Sequence, residues 1–70
     1  YKGISLDAKI PLEDAKTMYR IITGACRAWT EQFAQSLGDK LQEAYTVREM
    51  IEVTKGQYNA TKFAEFFGEG

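Results

Sequence analysis

The spacing of hydrophobic positions divides the chain into segments of different period. Over residues 1–10, YKGISLDAKI, Ile4, Leu6, Ala8 and Ile10 fall on one face and Ser5, Asp7 and Lys9 on the other. A period of two predicts a half-buried strand. A single strand leaves its own backbone groups unpaired. The segment therefore either pairs with a copy of itself from another subunit or lies as an extended arm over helices. From Pro11 the period becomes helical. Proline suits the first helical position, and Glu13 and Asp14 place carboxylates in the first turn, where the helix dipole favours them. Apolar residues then recur at Ala15, Met18, Tyr19, Ile22, Cys26, Trp29, Phe33 and Leu37, in steps of three and four, up to a stop at Gly38.

Gly24 is the weak point of this run. A glycine inside a helix costs about 1 kcal/mol relative to alanine. It either ends one helix, with a second starting near Thr30, or lies within one helix over 11–37, roughly 40 Å long at 1.5 Å per residue. The stripe keeps its phase across Gly24, and we read the segment as one continuous helix.

Beyond Gly38 the elements shorten. Residues 39–45, DKLQEAY, suit a short helical turn with Leu41 and Tyr45 four apart. Thr46-Val47-Arg48-Glu49 is a capping box, in which a hydroxyl serves the amide three residues on and a carboxylate reaches back. The helix it opens buries Val47, Met50, Ile51 and Val53, and Gly56 stops it. Asn59 caps a last helix through Phe67 whose apolar side is Phe63, Phe66 and Phe67. With Tyr58 these aromatics read as core against Trp29 and Phe33 rather than as a surface anchor. The tail, residues 68–70, frays. The expected fold class is all-α. A single domain over 1–70 contains an extended arm or strand (1–10), one long amphipathic helix (11–37) and three shorter helical segments (39–67).

The first helix is apolar over an unusually wide arc. With Ala15 at zero and an advance of about 100° per residue, the stripe spans roughly 300° through 40°. Ile21, Ala25 and Ala28 fall at roughly 240°, 280° and 220°, which widens the arc to about 180° against the roughly 100° that one core requires. Gly24 and the alanines also admit a close neighbour. A chain of 70 residues buries only about 60% of the surface its unfolded form exposes. We therefore expect a homodimer whose interface uses Ile21, Gly24, Ala25, Ala28 and Trp29.

Composition narrows the chemistry. Cys26 is the one cysteine and there is no histidine. Intrachain disulfides, a Cys/His zinc site and histidine-based catalysis are thereby excluded. An unpaired cysteine suits a reducing compartment, and here it reads as a buried structural thiol. Glu49 and Glu52 share a helix face, but Glu49 already has a capping role. No glycine-rich phosphate loop is present. We expect no enzyme, catalytic residue, metal or cofactor. No apolar run reaches the roughly 20 residues of a membrane span, and no charged-then-apolar leader stands in the sequence. A cytoplasmic location is the default expectation.

The formal charge is −1, from nine basic and ten acidic side chains, whereas nucleic-acid-binding domains usually carry a basic excess. Lys16, Arg20 and Arg27 nevertheless line one helix face, and with Lys9 they form a candidate phosphate-contacting set. Glu31, four residues beyond Arg27, suits an ion pair with it. Two DNA-binding layouts follow. Residues 47–54 and 59–67 around Gly56 suit a helix-turn-helix that presents Thr61, Lys62 and Glu65. Residues 4–37, read as a strand ending in Pro11, a helix, a glycine turn and another helix, resemble the ribbon-helix-helix repressors. That resemblance implies an obligate dimer with Ser5, Asp7 and Lys9 toward bases, and it requires the long helix to break. The leading expectation is a small protein-interaction or regulatory module that self-associates through its first helix. The alternative is a dimeric DNA-binding regulator.

Overall fold

The computed structural model describes residues 3–68. The element order is β1 (Ile10–Pro11), α1 (Leu12–Thr23), α2 (Arg27–Ser36), a 3-10 turn (Gly38–Lys40), β2 (Ala44–Tyr45), α3 (Val47–Val53) and α4 (Ala60–Phe66). The chain is mostly helical, and a small sheet qualifies the all-α expectation. β1 and β2 pair antiparallel, Ile10 against Tyr45 and Pro11 against Ala44. The Leu12 N–H extends this ladder to the Glu43 carbonyl at 2.8 Å.

The N-terminal segment behaves as an arm and not as a full strand. Ile4, Leu6 and Ile10 pack on the core, while Ser5, Asp7 and Lys9 are exposed, so the alternation is real. Ala8 is exposed as well, and only Ile10–Pro11 is strand. The Arg48 N–H donates to the Leu6 carbonyl at 3.2 Å. The arm is thus fastened to α3 and β2 of its own chain. The first two residues of the expected strand and the last two of the expected frayed tail lie outside the described residues.

The expected continuous helix is two helices. Pro11, at φ −55 and ψ 147, is still extended and forms the N-cap of α1 rather than its first turn. Gly24 closes α1 in the left-handed conformation, φ 80, with its N–H on the Arg20 carbonyl at 2.8 Å. That is a common glycine helix stop. The Thr23 hydroxyl accepts from the Ala25 N–H at 3.2 Å and donates to the Tyr19 carbonyl at 2.7 Å. α2 then runs back beside α1. The Lys16 ammonium meets the Glu31 carboxylate at 3.1 Å, whereas in a straight helix those residues stand about 22 Å apart. Folding back brings the two halves of the stripe together. Tyr19 stacks on Trp29 with ring centroids 5.8 Å apart, and Trp29 on Phe33 at 5.4 Å. Phase was a guide to most of the covered positions, but it placed the exposed Cys26 in the stripe and the buried Ala25 on its flank, and it was a wrong guide to connectivity. α2 covers one side of α1, and α4 and α3 cover the rest through Phe63, Val47 and Met50.

The core gathers around α1. Met18, Val47 and Phe63 are fully buried, with Ala15, Tyr19, Ala25, Tyr45 and Met50 beside them. Phe63 packs on Tyr19 at 4.8 Å and meets Phe67 edge-on at 5.3 Å. It reaches Trp29 through Tyr19, whereas Tyr58 meets Trp29 at 6.1 Å but is 52% exposed, at the surface and not in the expected core. Residues 39–45 form a 3-10 turn and a strand in place of the expected helical turn.

Two polar contacts fasten α4 to the end of α1. Asn59 holds the N-cap position of α4, but at φ 52 and with no side-chain cap bond. Its side-chain amide instead donates to the Thr23 carbonyl at 2.9 Å. The Tyr19 hydroxyl donates to the Tyr58 carbonyl.

The capping box forms as expected. The Thr46 hydroxyl accepts from the Glu49 N–H at 3.0 Å, and the Glu49 carboxylate accepts from the Thr46 N–H at 2.8 Å. Thr46→Ala removes one half of it. We expect a loss of about 1 kcal/mol in unfolding free energy. In urea titration this appears as a lower midpoint with an unchanged slope.

Candidate interaction surface

The residues expected to share one flank are separated by the break. Ile21 projects from the outer face of α1 and is 62% exposed. Gly24 and Ala28 are exposed, Trp29 is half-buried in its aromatic stack, and Ala25 is buried in the core. Ala25 is therefore covered by its own chain and presents no outward contact here. The wide apolar arc counted all these positions on one cylinder, whereas the folded chain divides them between a covered inner side and an open outer side.

A second apolar feature lies on the inner side. Leu12 of α1, Trp29 and Phe33 of α2, Leu37, Leu41 and Val53 surround a small groove of about 50 Å³ that opens to solvent. All six are half-buried, so the groove is neither filled nor sealed. α2 forms one wall and takes its main support from α1. Its ends are modestly tied. At its start the Cys26 sulfur accepts from the Trp29 N–H at 3.4 Å, and a thiol is a weak acceptor. Cys26 is itself exposed, in contrast to the buried thiol expected.

The candidate phosphate-contacting residues are occupied to different degrees. Lys9 pairs with Glu49 at 3.1 Å. Lys16 pairs with Glu13 at 3.0 Å and with Glu31 at 3.1 Å, and its side chain is only 14% exposed. The hydrogen bonds it donates to Glu13 first, then to Glu31, hold the Lys16 ammonium above its usual pKa. Glu31 thus serves Lys16 in place of the i, i+4 pair expected with Arg27. The Arg20 Nε is buried with no hydrogen-bond partner, and Arg27 is exposed. Ser5 and Asp7 face solvent, but β1 is paired within the chain, so the folded protomer offers no free two-stranded ribbon. In the other DNA-binding layout, α4 exposes Thr61, Lys62 and Glu65 while burying Phe63.

Sequence reasoning missed the groove, because its lining comes from positions spread between Leu12 and Thr54. Half-buried positions carry the same letters as core ones, and only the packing separates them. Among the described residues, no group of His, Cys, Asp and Glu side chains is placed to hold a metal ion. No helix among them is long and apolar enough to cross a membrane. Comparison with protein-family models, curated proteins and solved structures found no match for the chain.

Glu49 joins the cap to the arm. The Thr46 backbone N–H, and then Lys9, hold its carboxyl below the ordinary value of 4.5. Folding favours the ionised form, so its stabilising contribution is present above about pH 4.5 and fades as pH falls through the lowered folded value. Glu49→Gln is expected to flatten the acid limb of a stability–pH curve in that window. Equal acid slopes in the two proteins would contradict this.

Proposed function

We propose that the chain is a small protein-interaction module that self-associates through the α1–α2 region. The observation that carries this reading is the apolar surface the region leaves uncovered. Ile21 stands 62% exposed on one side, and the groove bordered by Trp29, Phe33 and Leu37 stays open on the other. Neither feature is wide enough to be costly in a monomer. Both gain from a partner, since covering an isoleucine side chain fully contributes about 1.5–3 kcal/mol. Binding proceeds by apolar complementarity, with Ile21, Gly24, Ala28 and the edge of Trp29 as contacts. The partner is a second copy. The near-balanced charge, with ten acidic against nine basic residues, does not oppose that approach.

Sedimentation equilibrium tests the proposal. The apparent mass of the wild type should climb above 7.9 kDa as concentration rises. Ile21→Glu and Ala28→Glu alter exposed positions and should leave the circular dichroism spectrum unchanged. Each should weaken association about tenfold or more, the minimum expected from losing a buried isoleucine or alanine contact and burying a carboxylate in its place. A mass fixed at 7.9 kDa across the range would sink self-association. Retention on heparin that collapses with salt would move the reading to a nucleic-acid partner.

A further inference from the structure

The three residues Gly24, Ala25 and Cys26 join two helices whose apolar stripes remain in phase. The turn is held locally by small contacts. These are the Gly24 C-cap, one Thr23 hydroxyl contact at 3.2 Å, the thiol cap at 3.4 Å, the Thr30 hydroxyl on the Cys26 carbonyl at 2.9 Å and the buried methyl of Ala25. A straight helix through the same residues replaces them with a regular backbone ladder. What keeps the turn closed is contact between the segments on either side of it. Tyr19 stacks on Trp29 and packs on Phe63. Asn59 holds Thr23, β2 holds β1, and Glu31 holds Lys16. Each of these contacts joins a residue before Gly24 to a residue after Cys26. The same residues of a second copy supply every one of them equally well.

We propose that two copies exchange their N-terminal segments, residues 3–23, by opening this turn into one continuous helix from Leu12 to Ser36. The inference rests on the self-association reading and specifies how it is achieved. Apart from Ala25, which leaves the core for the helix ridge, the core of each half is rebuilt from two chains, and the radius of gyration of 10.9 Å belongs to the closed form. Opening also regroups the scattered flank. On the straight helix Ile21, Gly24, Ala25 and Ala28 fall at roughly 180° to 280° and form one ridge. The two long helices cross there about the twofold axis, and the small residues allow them to approach closely. The ridge explains why the apolar arc is wider than the closed form uses.

Two substitutions bias the hinge in opposite directions. Gly24→Ala strains the closed form, because φ is +80, although a Cβ there meets nothing within 4 Å. It also favours the helix. Cys26→Pro suits the closed form, where φ is −80, and prevents a helix from continuing through it. Each protein is refolded from denaturant at high and at low concentration, and its mass is measured by light scattering after dilution. Gly24→Ala should raise the dimer fraction formed at high concentration, with a dimerisation constant about tenfold or more above wild type. Its helicity should rise, and the dimer should survive dilution. Cys26→Pro should be monomeric throughout with native near-ultraviolet dichroism, and the double variant should follow Cys26→Pro. A wild-type monomer beside a dimeric Gly24→Ala protein would support exchange while refuting native self-association. A dimer that persists in Cys26→Pro would overturn exchange while leaving self-association standing. Monomeric Gly24→Ala refolded at high concentration would also overturn it. Should Gly24→Ala fail to fold, wild type that refolds only to monomer at high concentration has the same force.

Discussion

The structure depends on one constraint: the apolar face of α1 is too large for one neighbour to cover, and α2, α4 and the segment between them each supply part of the cover. Tyr19, in the first half of the stripe, is where the solution is made. Its ring lies against Trp29 in the second half and against Phe63 near the other end of the chain. Its hydroxyl reaches the Tyr58 carbonyl, which satisfies a polar group that burial would otherwise strand. Burial pushes the Tyr19 phenol above its ordinary value of 10, which keeps the donor protonated. α1 is therefore the axis of the fold, and the other elements are arranged by what they contribute to its surface.

Polar contacts then select this arrangement among other compact ones. The β1–β2 ladder is two residues long and contributes little alone, but it fixes where the arm enters. Lys16 bridges Glu13 and Glu31, so one ammonium ties α1 to α2. The pair with Glu31 is half-exposed, and such pairs contribute at most modestly to stability. Their larger effect is on geometry, because they specify which face of α2 returns to α1. The unpartnered Arg20 Nε lies at the end of the same helix face.

Much of this was legible in the residues, for local reasons. The capping box at Thr46 and the glycine stop beyond α3 are written in consecutive positions, and the structure follows them. Gly24 was legible as a weak point. Its outcome was not, because helical phase is identical for a straight helix and for two helices folded together. The decision was made by long-range contacts with Phe63 and Tyr58, which leave no mark near Gly24. Asn59 was placed correctly at the head of α4, but its partner is the Thr23 carbonyl, 36 residues earlier. Burial along the expected flank was not legible in the letters. Ala25 looks like Ala28 in the sequence, yet one is buried and the other exposed.

The clasp between α1 and α4 also bears on how the chain is born. The Tyr19 hydroxyl and its acceptor are 39 residues apart. At a synthesis rate of roughly 5–20 residues per second, α1 waits about 2–8 s before the segment that covers it has been made. During that interval its apolar face is open to the ribosome surface, to chaperones and to neighbouring nascent chains. α4 is short and sits near the end of the described chain, yet folding of the earlier elements is completed only when it arrives.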